Sequence, residues 1–221
     1  MNISDHLEDI SLSLEYPRYH NVRYVELQQR IERLQPRSVL VLGCGLGQLE
    51  SILPRDVKCV GVDIDKDRIK KAYSINPKNN RIFYNSDVFD LDMDMKFDVI
   101  VMSELIEHVL DDVGLVERSI EWAGGHIIVT VPNYRRLLNR NNPTIGPEHV
   151  REYTFSSFME RIVDPLDLNV VEWGGVFFEI PYQEILHIVM KPLSRHRITK
   201  ILDRMFPTSC TWLYFLMEVG G

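Results

Sequence analysis

The sequence contains few cysteines, no long apolar run and no recognisable leader. Its three cysteines, Cys44, Cys59 and Cys210, have neither metal-ligand spacing nor the even number of a disulfide framework. No stretch approaches the roughly 18 consecutive apolar residues that a membrane-spanning helix needs. The opening, MNISDHLEDISLSLEY, is acidic and lacks the apolar segment of a signal peptide. We therefore expect a reduced, cytoplasmic protein without a transmembrane segment.

Positive charge is also in short supply. The chain has 25 Lys and Arg against 32 Asp and Glu, a net charge of −7, which weighs against broad electrostatic binding to nucleic acid. Apolar residues make up 45% and charged residues 26%, which is the balance of an ordinary globular protein. The 221 residues show no internal repeat, so we predict a single domain spanning residues 1–221.

Short apolar runs alternate with helical patterns between residues 37 and 131. The runs are SVLVL (38–42), KCVGV (58–62), RIFYN (81–85), FDVIVM (97–102) and HIIVTV (126–131). Because they are rich in β-branched residues and almost continuously apolar, they are typical of parallel strands covered on both faces. The segments DKDRIKKAYSI and DDVGLVERSIEWA predict helices between them. The alternation predicts an α/β fold with a Rossmann-like, doubly wound and mostly parallel sheet.

The pattern changes after residue 132. Residues 132–153 are rich in Asn and Pro and predict a long loop, after which Thr154 is a predicted helix N-cap. LNVVEWGGVFF (168–178) and TWLYFLMEV (211–219) predict two further strands, with a helical insertion at 181–206 before the last of them. Two interpretations of this basic insertion stay open. It is either a solvated amphipathic helix pair, or a substrate cap and a surface for an anionic or peripheral-membrane partner.

A glycine-rich segment, VLVLGCGLGQLE, places Gly43, Gly45 and Gly47 between the first predicted strand and a helix. Glycine permits a tight turn with positive φ and a close approach of a ligand to the backbone, and a helix start offers free N–H groups. Asp63 ends the second strand 20 residues after Gly43, where a carboxylate can accept hydrogen bonds from ribose hydroxyls. Asp87 follows the third strand, where a carboxylate can accept from an adenine amino group. Dinucleotide-binding proteins share this layout, but their spacing is G-x-G-x-x-G instead of G-x-G-x-G.

Together with NSDVFD, FDVIVMSELIEHV and GGHIIVTVPN, these residues resemble the class I S-adenosylmethionine-dependent methyltransferases over about residues 20–173. The resemblance implies a seven-stranded sheet whose last strand is antiparallel, with S-adenosyl-L-methionine across the carboxyl ends of the strands. The cofactor-binding residues that it implies are Gly43, Cys44, Gly45, Gly47, Asp63, Ile64, Asp87, Val88 and Ser103. Val41 departs from the pattern, because the family usually has an acid two residues before the first glycine.

The segment SELIEHV, residues 103–109, follows the fourth predicted strand. If it is helical, Glu104, Glu107 and His108 share one face. It resembles the metal-binding segment of the ubiquinone-biosynthesis O-methyltransferases and of the small-RNA 3′-end 2′-O-methyltransferases, where a further histidine corresponds to His149. That resemblance implies a site for Mg²⁺, Mn²⁺ or Co²⁺ on these four side chains. The alternative, which we favour, is a metal-free pocket floor where Glu107, His108 and His149 supply acid–base catalysis.

The chemistry of the fourth strand constrains the methyl acceptor. The strand ends in MSEL and lacks the Asn/Asp-Pro-Pro-aromatic motif of relatives that methylate exocyclic amines or glutamine amides. We therefore predict O-methylation of a small molecule, lipid or glycan, since an oxygen nucleophile needs a base or a metal to remove its proton. Three alternatives stay open: a metal-dependent 2′-O-methyltransferase acting on an RNA 3′ end, a nicotinamide-dependent oxidoreductase, and a non-catalytic cofactor-binding protein.

Overall fold

The computed structural model describes residues 18–77, 80–134, 148–178 and 203–220. In these parts of the chain the helices are α1 (Arg18–Leu34), α2 (Gln48–Ile52), α3 (Lys66–Ile75), α4 (Asp112–Trp122) and α5 (Phe155–Phe158). The strands are β1 (Ser38–Leu42), β2 (Lys58–Asp63), β3 (Arg81–Asn85), β4 (Phe97–Ser103), β5 (Ala123–Pro132), β6 (Asn169–Phe178) and β7 (Cys210–Glu218). The chain divides into two compact units, Met1–Asp92 and Met93–Gly221.

The first unit contains three parallel strands in the order β3-β2-β1. The side chains from Val39 to Leu42 on β1 are at most 3% exposed, so this strand is covered on both faces. This two-sided burial explains the uninterrupted apolar sequence of the strand, because neither face meets water. Val41 is one of these core residues, so its side chain packs in the interior of the unit.

The helix predicted from DKDRIKKAYSI is α3, Lys66–Ile75. The Asp65 side chain accepts hydrogen bonds from the backbone N–H groups of Asp67 and Arg68 and so caps the start of α3. That helix buries Ile69 and Ala72. At its end the Asn76 side-chain amide donates to the carbonyl oxygen of Gly47 at 3.0 Å, which ties the glycine-rich loop to α3.

The second unit contributes four strands in the order β4-β5-β7-β6. Strands β4 and β5 are parallel, whereas β7 is antiparallel to both β5 and β6. The seven strands therefore form a mixed, mostly parallel sheet whose last strand is antiparallel, which confirms the predicted fold class. The rings of Phe158 and Phe215 stack with their centroids 3.7 Å apart and belong to the core of this unit.

The helix predicted after the long loop begins where the sequence indicates. Thr154 caps α5 through a capping box with Ser157, in which each side chain accepts a hydrogen bond from the other residue's backbone N–H. The α-helix covers only Phe155–Phe158 and continues as a π-helical turn, Met159–Val163. Most of the predicted insertion at 181–206 lies outside the described residues. Among the residues described, no helix is long and apolar enough to cross a membrane.

Candidate functional site

The glycine-rich loop after β1 has the backbone conformation that only glycine adopts easily. Gly43, Gly45 and Gly47 have φ values of 68°, 56° and 71°. A Cβ added at Gly45 would meet nothing within 4 Å, whereas one at Gly47 would lie 2.7 Å from the side-chain nitrogen of Asn76. Gly47 is therefore required by packing, and Gly45 leaves open space above the loop where a ligand can approach the backbone.

Asp63 at the end of β2 fastens this loop. One carboxylate oxygen accepts a hydrogen bond from the backbone N–H of Gly45 at 2.8 Å, and the other accepts from the N–H of Asp65 at 2.9 Å. The residue is 6% exposed. An ionised carboxylate has about four acceptor positions, so these two bonds leave acceptor capacity for a ligand hydroxyl. Asp63 is thus a structural part of the loop as well as a candidate ribose acceptor.

The remaining cofactor candidates of the first unit flank the ends of β2 and β3. The side chain of Ile64 is 69% exposed, so its apolar surface is accessible to a ligand. Asp87 accepts a hydrogen bond from the backbone N–H of Phe89 at 3.0 Å and starts a short 3₁₀ turn, in which Val88 is buried. An exposed apolar side chain and two carboxylates around a glycine loop fit a ligand that combines an aromatic ring with hydroxyl groups.

Two buried titratable groups lie beside the loop. Burial raises the pKa of the Cys44 thiol, and the charges of Glu50 and Asp63 raise it further. The thiol therefore stays protonated at neutral pH, which excludes a thiolate nucleophile at this position. Glu50 itself is fully buried on α2, and burial raises its pKa to about 8.

The SELIEHV segment in the second unit is not a continuous helix. Glu104 has a φ of 55°, and its backbone N–H donates to the carbonyl of Thr130 at 3.0 Å, so the chain turns before a 3₁₀ turn at Ile106–His108. The Glu104 carboxylate accepts a hydrogen bond from the indole N–H of Trp212 at 2.7 Å. The premise that Glu104 shares a helical face with the later residues therefore fails, because its left-handed backbone turns it toward β5 and β7. Ser103, at the end of β4, hydrogen-bonds the Thr130 hydroxyl at 3.0 Å.

The structure brings together the other three residues of the predicted cluster. Glu107, His108 and His149 each offer one ligand atom, and these atoms all lie within 4.8 Å of one another. The two imidazole rings meet edge to face with centroids 4.7 Å apart, and His108 Nε2 lies 4.0 Å from Glu107 Oε1. The Glu107 side chain is buried, whereas His108 remains about one-third exposed.

One hydrogen bond of the cluster defines the tautomer of His108. Its Nδ1 lies 3.1 Å from the carbonyl oxygen of Glu148, which can only accept a hydrogen bond. Nδ1 therefore carries the proton, and in the neutral imidazole Nε2 is left with a free lone pair. Burial lowers the pKa of His149, and the neighbouring His108 lowers it further. The His149 ring is thus disposed to be neutral, the form that accepts a proton or binds a metal.

This donor set also fits a divalent cation. Two imidazole nitrogens and one carboxylate oxygen suit transition metals such as Mn²⁺ or Co²⁺ and accommodate Mg²⁺ less well, because Mg²⁺ prefers oxygen ligands. The Glu148 carbonyl that fixes the His108 tautomer is the kind of outer partner that metal-binding histidines usually have. Glu104, the fourth predicted ligand, lies outside this group and contacts Trp212 and Thr130 instead.

Sequence reasoning missed the residues that hold this cluster together. Arg151 donates to the carbonyls of Ile106, Val109 and Leu110, and it ion-pairs with Asp112. Its only sequence signal is its place two residues after His149. A lone arginine in a loop gives no indication that its partners are backbone carbonyls some 40 residues earlier.

Comparison with known proteins agrees with this geometry. A family model described as a methyltransferase domain matches residues 18–173. No curated protein matches the chain. The methyltransferase domain of a bacterial protein, CtHen1, has a similar structure, with a TM-score of 0.66 at 17% identity over 90% of this chain and 99% of that one.

Two further solved structures were determined with cofactor or product bound. The N-methyltransferase NodS from Bradyrhizobium japonicum, in complex with S-adenosylhomocysteine, has a TM-score of 0.59 at 15% identity over 89% of this chain and 87% of that one. Magnesium protoporphyrin IX methyltransferase from Synechocystis, with bound S-adenosylmethionine, has a TM-score of 0.60 at 12% identity over 91% and 79%. The family match decides against the nicotinamide-dependent oxidoreductase. The chain belongs to the methyltransferase-domain family and is a class I S-adenosylmethionine-dependent methyltransferase.

Proposed function

We propose that the protein transfers the methyl group of S-adenosylmethionine to a hydroxyl of a small molecule, lipid or glycan, and that His108 Nε2 accepts the hydroxyl proton. One observation carries this proposal: the Glu148 carbonyl holds the proton of His108 on Nδ1, which leaves Nε2 as an acceptor. A hydroxyl is a weak nucleophile until its proton is removed, so a positioned base is needed for O-methylation.

The cofactor residues have distinct roles in this proposal. The open face of Gly45 admits the ligand to the loop backbone, and the Asp63 carboxylate accepts hydrogen bonds from the ribose hydroxyls. The exposed side chain of Ile64 covers one face of the adenine ring, and Asp87 accepts from its amino group. The donor carries its own leaving group as a sulfonium, so the protein's main contribution to the displacement is alignment.

The proposal is tested by removing Nε2 while keeping the donor of Nδ1. In His108→Asn the side-chain amide N–H can still reach the Glu148 carbonyl, but no base remains. Methyl transfer from radiolabelled S-adenosylmethionine to fractions of a cell extract should fall by roughly 10²–10⁴-fold. The control is His126→Gln on β5, which should retain wild-type activity. If His108→Asn methylates the same acceptor at the wild-type rate, His108 is not the base.

A second candidate function is favoured by the spacing of the ligand atoms. With Glu107, His108 and His149 within 4.8 Å, the cluster can hold a divalent cation, and the acceptor can then be the 2′-hydroxyl of an RNA 3′ end. A bound cation would lower the pKa of a coordinated hydroxyl. Loss of activity in EDTA and its return with Mn²⁺ or Co²⁺ would favour this candidate. Activity that is indifferent to EDTA would exclude it.

A further inference from the structure

The region around the histidine pair is built from two irregular segments, residues 106–110 and 148–153. Neither segment pairs with the sheet over its length, so regular secondary structure does not hold them together. Two backbone hydrogen bonds join them, because the N–H groups of Val150 and Arg151 both reach the carbonyl of Glu107, at 2.8 and 3.3 Å. Both bonds are made to Glu107, so the remaining residues of the segment 106–110 need other contacts to hold their position.

The guanidinium of Arg151 supplies those contacts. One nitrogen, Nη1, donates to the carbonyls of Ile106, at 3.2 Å, and Val109, and the other, Nη2, donates to the carbonyl of Leu110 at 2.7 Å. The three carbonyls lie on both sides of His108 in the chain. A planar fork of donors can hold several carbonyls in one fixed arrangement, which the single ammonium of a lysine cannot do.

The guanidinium is in turn anchored to the fully buried carboxylate of Asp112, at the start of α4. Arg151 Nη1 lies 3.3 Å from Asp112 Oδ2. Arg161 binds the same carboxylate with two hydrogen bonds of 2.7 Å, and the Tyr153 hydroxyl donates a third. Burial alone would raise the pKa of Asp112, but the hydrogen bonds from Arg161 and Tyr153 and the charge of Arg151 hold it below its usual value. The anchor is therefore an ionised carboxylate.

We propose that Arg151 is a positioning residue for methyl transfer: anchored on Asp112, it holds residues 106–110 against residues 148–153, so that His108 donates from Nδ1 to Glu148 and presents Nε2. This inference rests on the proposed role of His108. It assigns the arginine no contact with substrate, because its donors are directed at backbone carbonyls and at Asp112.

The anchor provides a matched control. Arg151 and Arg161 bind the same carboxylate, but the donors of Arg161 go to Asp112 and those of Arg151 also reach the carbonyls around His108. Arg151→Met should therefore disturb His108, whereas Arg161→Met should weaken the anchor and leave the His108 hydrogen bond in place. Arg151→Lys should disturb His108 less than Arg151→Met does, since lysine keeps the positive charge but lacks the planar fork of donors.

The readout is the tautomer of His108, measured on the full chain by long-range ¹H–¹⁵N correlation of the imidazole, with His108→Asn assigning the signal. We expect the Nδ1–H form to dominate in the wild type and in Arg161→Met, and to become the minor form in Arg151→Met. The rate of methyl transfer should fall roughly 100-fold in the same variant, because displacement of a catalytic group by about 1 Å has an effect of that size.

Several results would overturn the inference. An Nε2–H form in the wild type would do so without any variant, even if Arg151→Met fails to fold. A dominant Nδ1–H form in folded Arg151→Met would mean that the arginine contributes only to general stability. Equal tautomer populations in Arg151→Lys, Arg151→Met and Arg161→Met would mean the same. Failure of the proposed function is distinguishable, because full activity of His108→Asn would refute the role of His108 as base, while the tautomer populations would still report whether Arg151 positions His108.

Discussion

Glu50 on α2 gives the sharpest prediction of pH-dependent stability. Its side chain is fully buried, and neither carboxyl oxygen has a hydrogen-bond partner among the described residues. Burial raises the pKa of Glu50 from 4.5 to about 8; the charge of the Arg81 guanidinium opposes the rise, and the charge of Asp63 adds to it. The folded protein therefore keeps this proton at pH 7, where an exposed glutamate has lost it.

The size of the effect follows from the difference in bound protons. The unfolded chain releases the Glu50 proton near pH 4.5, so from there to about pH 8 the folded state binds one proton more. The free energy of unfolding then falls with rising pH by about 1.4 kcal/mol per pH unit. The contribution is fully present below pH 4.5, and about 3 kcal/mol of it is lost by pH 7.

The Glu50→Gln variant tests this directly, because the amide keeps the shape of the protonated carboxyl and cannot ionise. In urea unfolding between pH 5 and 8, the variant should lack the decline that the wild type shows. Glu121→Gln removes an exposed carboxylate from α4 and should follow the wild type at every pH. Equal pH slopes for Glu50→Gln and the wild type would mean that Glu50 is ionised in the folded protein, and would refute the reasoning.

Two further substitutions test the loop and the anchor. Gly45→Ala places a side chain at a φ of 56°, so the free energy of unfolding in urea should fall by about 1–2 kcal/mol. Calorimetry should also show a weaker affinity for S-adenosylmethionine. The control Gly220→Ala, whose added Cβ lies in open space, should change neither quantity. Tyr153→Phe removes a donor from the ionised Asp112 and should cost about 1.5–3 kcal/mol at neutral pH. Because the pKa of Asp112 is lowered in the folded state, that loss should shrink in acid, and a loss that is constant with pH would contradict it.

The sequence predicts the sheet well because burial leaves a clear pattern. Strand β1 coincides with the predicted SVLVL. Strand β4 is one residue longer than the predicted FDVIVM, and β7 begins and ends one residue earlier than the predicted TWLYFLMEV. A strand covered on both faces must be apolar at every position, so its length can be read from composition alone. The cap at Thr154 indicates where its helix starts, but the change to a π-helical turn at Met159 has no comparable sequence signal.

The candidate site is less predictable, because its geometry depends on contacts distant in sequence. The sequence indicates that Glu107, His108 and His149 belong together, but it gives no reason to separate Glu104 from them. That separation comes from the left-handed backbone of Glu104 and from its hydrogen bond to Trp212, 108 residues away. Helical spacing is informative only where the backbone is helical, and a 3₁₀ turn of three residues does not preserve it.

The difference between a regular helix and the observed backbone explains why the proposed chemistry lies on the irregular SELIEHV segment. A regular helix would point Glu104, Glu107 and His108 to one side, but it would also commit their carbonyls to i+4 hydrogen bonds. In the observed segment the carbonyl of Glu107 is available to the second segment, and those of Val109 and Leu110 to Arg151. Because no helix occupies these carbonyls, they can join a histidine from elsewhere in the chain to His108. Local backbone irregularity is therefore the means by which two distant segments form one cluster, and the departure from sequence expectation is concentrated where function is proposed.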